Sequence, residues 1–365
     1  MDRQEAWIRP GWPRCTAAKQ SWLTLLVKAL FISIWSDRMV RHHVLKAVAG
    51  VVTAAGLLGP ACALARDIAF GIISTESSQN LRAAWAPLIE DMQKRTGLKV
   101  DAFFAPDYAG IIEAMRFNKV QVAWFGNKSA MEAVDRANGE VFVSTIGRDG
   151  VEGYYSHLVT HKDSALKSLD DVLKNSKSLT LGNGDPNSTS GFLVPGYYAF
   201  AKNRIDPKRD FKLVRSANHE ANLLAAANRQ VDLATNNNES LERLKTTNPA
   251  KYQEVRVIWT SPMIPADPLV WRKDLDAETK KKVRDFLIAY GQQGPELARE
   301  QEVLKTLVMS GFKAANDSHL LPIRQLSLFA ERLKVENDAQ MSDSERTSKL
   351  VEFDRKLADL AAATR

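Results

Sequence analysis

The residues best suited to chemistry lie in one segment, Gly182-Asn183-Gly184-Asp185-Pro186-Asn187-Ser188-Thr189-Ser190-Gly191-Phe192. A β-prone run ends at Gly182 and a helix-forming run begins at Gly191, so the segment carries the chain from a strand to a helix N-terminus. Free backbone N–H groups and the positive end of the helix dipole gather at such a junction, and three adjacent hydroxyls add further donors. The combination suits an anion, although Ser188, Thr189 and Ser190 read equally well as ordinary helix caps. No Gly-Lys-Ser/Thr follows, so nucleotide hydrolysis on a phosphate loop has no support.

The other chemistry-capable residues are individually ambiguous. Tyr108 and Tyr154 read as packed aromatics. His219 opens a helix, and His219-Glu220 is not a zinc-protease motif because Leu223 stands one turn on where the second His belongs. Glu239 reads as a first-turn acid favoured by a helix dipole, and Asp267 before Pro268 as a turn starter. Beyond residue 65 the histidines are His157, His161, His219 and His319, widely dispersed and without any cysteine. Neither a nucleophile–base pair nor a metal cluster is assembled from these, so no enzyme activity, metal or cofactor is expected.

The elements that must hold these residues alternate. Residues 67–73, 100–104, 120–125 and 141–146 read as strands. Between them lie helical patterns from Ser78 to Gly97, from an N-cap at Asp107, and over residues 129–138. A second series places strands at 154–160, 178–182, 211–216, 231–235 and 254–260, with helices at 191–202, 219–228 and 239–246. Residues 269–271 read as a strand returning to the first unit, and the chain beyond them is mainly helical. The expectation is an α/β protein of two lobes, 66–150 plus 268–365 and 151–267, each a mostly parallel sheet flanked by helices. The chain crosses between them twice, near Tyr154 and Asp267. From about Ser342 the apolar residues Leu350, Phe353, Leu357 and Leu360 fall at helical spacing, which fits a helix packed on its own lobe more readily than a homodimer seam.

The 365 residues carry a formal charge of +7, but the first 65 hold eight Lys/Arg against three Asp/Glu. The remaining 300 carry 42 positive and 40 negative side chains, a balance that gives no ground for nucleic-acid binding. Residues 39–65 read as a secretory signal: Met39, Arg41 and Lys46, an apolar run over 47–58, then Ala63-Leu64-Ala65. If Met39 is the start, residues 1–38 are upstream sequence, with an extended leader through the apolar stretch 23–35 as the alternative. The exported chain is expected to begin at Arg66 in the periplasm, so that Cys15 and Cys62 are lost with the leader, with lipid attachment at Cys62 as the lesser reading.

The blocks Phe70-Gly71-Ile72-Ile73-Ser74-Thr75-Glu76, Phe103-Phe104-Ala105-Pro106-Asp107-Tyr108-Ala109-Gly110, Met131-Glu132-Ala133-Val134-Asp135-Arg136-Ala137-Asn138-Gly139, residues 182–198 and Trp271-Arg272 resemble, in order, the phosphonate-binding periplasmic proteins of ABC uptake transporters. The resemblance implies a type II periplasmic binding fold with two hinge crossings. It implies a receptor for alkyl- or aminoalkylphosphonates such as 2-aminoethylphosphonate, working with an inner-membrane permease. It further implies that Ser188, Thr189 and Ser190, joined by Tyr108, Tyr154 and His219, hold the phosphonate, and that Glu239 and Asp267 receive the ammonium. A receptor for phosphate, phosphite or simple alkylphosphonates is the alternative, with an exported enzyme or a sensor domain behind it. Phe125 stands where some relatives carry Tyr, which removes a hydroxyl near the expected cleft, and Tyr155 stands where a Trp can occur.

Overall fold

The computed structural model describes residues 67–362; the leader, the cleavage expected after Ala65 and both cysteines lie outside the described residues. Strands β1 (Asp67–Ile72), β2 (Lys99–Phe104), β3 (Val122–Trp124), β4 (Gly139–Gly147), β12 (Pro268–Arg272) and β13 (Met309–Ala314) form one sheet in the order β13-β4-β12-β3-β1-β2. Strands β6 (Ser156–His161), β7 (Thr180–Asn183), β8 (Leu213–Ser216), β9 (Leu233–Asn237) and β10 (Val255–Thr260) form a second, in the order β10-β6-β9-β7-β8. Between them, β5 (Gly153–Tyr154) and β11 (Ile264–Pro265) pair antiparallel as a two-stranded ribbon, so both crossings run side by side.

The expected mostly parallel sheets are in fact mixed. β1 pairs parallel with β2 and β3, and β7 with β8 and β9. The ladders β3–β12, β12–β4, β4–β13, β10–β6 and β6–β9 are antiparallel. The hinge explains two of these. β4 carries the chain towards the ribbon and β12 brings it back, so as neighbours they must run in opposite directions; β6 and β10 stand in the same relation on the other side. A mainly helical C-terminal region is interrupted by β13, an edge strand whose place depends on β4, far away in sequence.

Alternation of side chains across the strands builds the cores. In the second sheet Leu158 and Leu233 face a cluster with Leu181, Phe200 and Phe211, while their neighbours Val159 and Ala234 face Leu223, Ala226 and Leu241 on the opposite side. The first sheet packs Phe70 against Trp85 and Trp85 against Trp124, with ring centroids 5.7 and 5.2 Å apart. Caps stop the helices where the sequence indicates. Asp107 accepts from Gly110 N–H, and Gly97 takes the left-handed conformation (φ 70°) that closes Ser78–Thr96.

Two local departures bear on the site. The single strand expected over 154–160 breaks at Tyr155, whose N–H donates to Asn238 Oδ1 (2.7 Å) and whose carbonyl accepts from Asn238 N–H (3.2 Å). Residues 321–336, expected to belong to the first lobe alone, form a helix that contacts both units. Its Ile323 and Leu326 pack with Tyr154, Leu193, Val194 and Ile264, and it also touches the Asn127–Arg136 helix. The last helix, Asp343–Ala362, lies on this one, buries none of its own residues and is tied to it by Arg332–Asp354 at 2.7 Å.

Candidate functional site

The eight candidate residues, Tyr108, Tyr154, Ser188, Thr189, Ser190, His219, Glu239 and Asp267, all line one cavity between the two sheets. Tyr108, Tyr154, Ser188, Thr189, Ser190, His219 and Asp267 are all at most 7% exposed.

One wall is made by residues 182–192. A Cβ on Gly184 would sit 2.6 Å from backbone atoms of Gly191, and Gly184 N–H donates to Gly191 C=O at 3.0 Å. This close approach folds the loop back over the start of the next helix. That helix, expected over 191–202, begins at Thr189 and is wound as two π-helical turns, Thr189–Leu193 and Gly196–Phe200. Each hydroxyl of the triplet accepts a protein N–H: Ser188 Oγ from Gly191 N (3.0 Å), Thr189 Oγ1 from Lys128 N (2.8 Å) and Ser190 Oγ from Asn237 Nδ2 (3.0 Å). Each hydroxyl is thereby held in place by one accepted bond, and its O–H can still donate. Ser188 is therefore both a cap and a cavity wall, and the two readings of the segment are compatible.

His219 and Tyr108 extend this wall. Asn218 caps the His219–Ala227 helix, which presents the imidazole with Nε2 3.3 Å from Ser188 Oγ. Burial, with the Arg243 charge behind it, lowers the His219 pKa to about 3, so the ring is neutral. Tyr108, first residue of the Tyr108–Arg116 helix, hydrogen-bonds Ser188. Its pKa is raised by burial first and the Asp267 charge second, so it stays a phenol.

The opposite end is acidic. Glu239 lies in the first turn of the Asn238–Thr247 helix, and Asp267 sits between β11 and β12. Burial pushes both carboxyls above their ordinary values, and the Glu239 charge is the next cause for Asp267. The Tyr154 hydroxyl donates to Asp267. Asp267 Oδ1, His219 Nδ1, Thr75 Oγ1 and Trp124 Nε1 are buried cavity atoms with no hydrogen-bond partner in the protein. Buried polar groups are ordinarily paired, so this cluster marks a place where a polar ligand completes the structure.

Sequence reasoning missed Thr75, Trp124, Asn237 and Arg243, which share the lining. Arg243 was detectable, being one helical turn after Glu239 and hence on the same face. Thr75 lies inside the Phe70–Glu76 block that carries the family resemblance, without a signal of its own. Among the described residues, no group of three or more His, Cys, Asp or Glu is arranged to hold a metal ion.

The family described as the periplasmic substrate-binding protein of phosphonate ABC transporters matches residues 70–320. The chain belongs to this family. It is 55% identical to the phosphonates-binding periplasmic protein of Escherichia coli K12 over 306 residues, 83% of this chain and 89% of that protein. The binding-protein component of an ABC phosphonate transporter from Pseudomonas aeruginosa superposes with a TM-score of 0.80 at 55% identity, covering 82% of this chain and 98% of that one. PhnD1 from Prochlorococcus marinus, solved with methylphosphonate, shares the fold at 18% identity and a TM-score of 0.64, over 73% of this chain and 98% of that one. As a phosphonate-family binding protein the chain has the type II periplasmic binding fold. It is the periplasmic, non-enzymatic component of an importer, with a small-molecule ligand and a membrane permease as partners.

Proposed function

We propose that this binding protein captures an aminoalkylphosphonate such as 2-aminoethylphosphonate. The phosphonate oxygens lie against Ser188, Thr189, Ser190, Tyr108, Tyr154 and His219, and the ammonium lies between Glu239 and Asp267. One observation carries the reading: hydroxyls line one wall of the cavity and two carboxyls the other. A zwitterion with its charges at opposite ends matches that segregation. An anion alone leaves two buried carboxyls to share the single Arg243 cation, and an ammonium supplies the second positive charge. The two sheets, with their flanking helices, act as lobes that open and close at the β5–β11 ribbon. The chain reaches the periplasm by cleavage after Ala65, and its C-terminal helix serves its own molecule and not a dimer seam.

The test compares two ligands. Asp267→Asn removes a charge at little steric cost, so 2-aminoethylphosphonate should weaken by roughly 1.5–3 kcal/mol, about ten- to a hundredfold. Methylphosphonate has no ammonium, and its binding should hold or improve. Calorimetry with both ligands decides the matter, and equal losses would make Asp267 a turn residue and point to a receptor for simpler anions.

A further inference from the structure

Beside the ligand cavity lies a second cavity of ≈ 250 Å³, and among the described residues Arg243 is its one lining residue from the second sheet's unit. Every other lining residue, from Thr75 and Glu76 to Leu307 and Met309, belongs to the unit of the first sheet. Arg243 therefore reaches across the cleft. Its Nε lies 2.5 Å from Glu76 Oε1 as a charge contact without hydrogen-bond alignment, with the two side chains 14% and 11% exposed, and its Nη1 donates to the Leu307 carbonyl at 3.4 Å. Arg243, Thr75 and Trp124 line both cavities, so the docked arginine is part of the wall that encloses the ligand.

Lys128 N–H to Thr189 Oγ1 (2.8 Å) also crosses the cleft within the site, but other charged contacts cross it at an exposed rim. Arg148 pairs with Glu242 at 3.2 Å with both side chains more than a third exposed. Glu220 accepts from Ser77 N–H (2.7 Å) and Asn80 Nδ2 (2.6 Å) at an exposed rim. Exposed pairs of this kind contribute little, because water competes for them and holding long side chains in place costs entropy. Glu76–Arg243 differs in being shielded and in having each partner on a different lobe. It can exist only while the lobes are together, and neither residue is needed to build its own sheet.

Resting on the reading of the larger cavity as the ligand site, we propose that Arg243 and Glu76 are positioning residues, a buried arm and anchor that latch the lobes around any bound phosphonate. Removing the pair opens the latch with no change in the net charge of the two side chains together. Glu76 does not line the ligand cavity, so its substitution acts on closure and not on the amine, and every ligand is affected alike.

The experiment compares wild type with Glu76→Gln and the double variant E76Q/R243Q, using 2-aminoethylphosphonate and methylphosphonate as probes. The double variant should bind both ligands more weakly by the same factor, on the order of tenfold, with faster dissociation. Glu76→Gln alone should weaken both at least as much, since it leaves Arg243 uncompensated, and adding Arg243→Gln should cost little more. Thermal unfolding without ligand should match wild type, because the pair is absent from the open form. Wild-type affinity in the double variant overturns the proposal. So does a loss confined to one ligand, which would make Arg243 a ligand contact, or an equal fall in thermal stability with and without ligand. Failure of wild type to bind either probe would instead sink the ligand reading and the latch with it.

Discussion

The two ends of the cavity solve recognition differently. At the hydroxyl end the groups are neutral and already oriented, each oxygen accepting an N–H at 2.8–3.0 Å and the imidazole uncharged. At the carboxyl end the groups carry protons more readily than usual, because burial and mutual repulsion disfavour their charges. On the proposed reading, one end is set by backbone geometry and the other by charge, which a ligand ammonium would complete. Changes to geometry should therefore damage the first end for every ligand, and changes to charge the second end for amines alone.

The most severe disruption should come from Gly184→Ala. Its Cβ would meet backbone atoms of Gly191 at 2.6 Å, so the loop cannot keep its position over the helix start. Binding of both phosphonates should fall by at least about a hundredfold, roughly the loss of two charge-assisted hydrogen bonds. Gly196→Ala, where an added Cβ meets nothing within 4 Å, serves as the control that should leave calorimetric affinities near wild type. A Gly184→Ala protein that binds normally would show that the close approach is not what orients the hydroxyls.

Ser188→Ala should cost less, on the order of ten- to a hundredfold for each ligand, since one donor to an anionic oxygen is worth roughly 1.5–3 kcal/mol. The ratio of the two dissociation constants should not move. A shift in that ratio would mean that the ends are not independent.

The smallest effect is that of pH. Asp267 and Glu239 have raised pKa values, so below those values the empty cavity holds protons that an ammonium must displace. As pH falls from the raised values towards the ordinary carboxylate range, 2-aminoethylphosphonate should weaken relative to methylphosphonate by about two- to tenfold, and as pH rises the preference should return. His219, with a pKa near 3, adds nothing to the profile between about pH 5 and 8. Calorimetry in buffers of different ionisation enthalpy should register proton release with the amine ligand only.

Much of this molecule is readable from local pattern. The caps at Asp107 and Gly97, the start of a helix at His219 and the strand-to-helix junction over 182–192 depend on neighbours within a few residues, and they stand where the sequence indicates. The ladder directions do not, because they depend on which distant strands lie beside the hinge. β13 escapes notice for the same reason, its register being set by β4 some 160 residues earlier. In the site, Tyr108, Ser188 and Asp267 come together from separate parts of the chain, and recurring family blocks made their meeting foreseeable. Arg243 could have been read from its place one turn after Glu239, but its pairing with Glu76 could not, since Glu76 lies on the other sheet's unit and only the packing of the two units brings them into contact.

The ribbon has one more consequence. Tyr154 is in β5, and Asp267 follows β11 by two residues, so this hydrogen-bonded pair is mounted on the pivot itself. Residues 188–190 and Glu239 ride together on the unit of the second sheet. On the proposed reading the protein works like a caliper with one contact on the axle. A molecule one methylene too long between Asp267 and residues 188–190 would hold the gap ajar, and a permease that docks only the fully shut form would read that length at second hand.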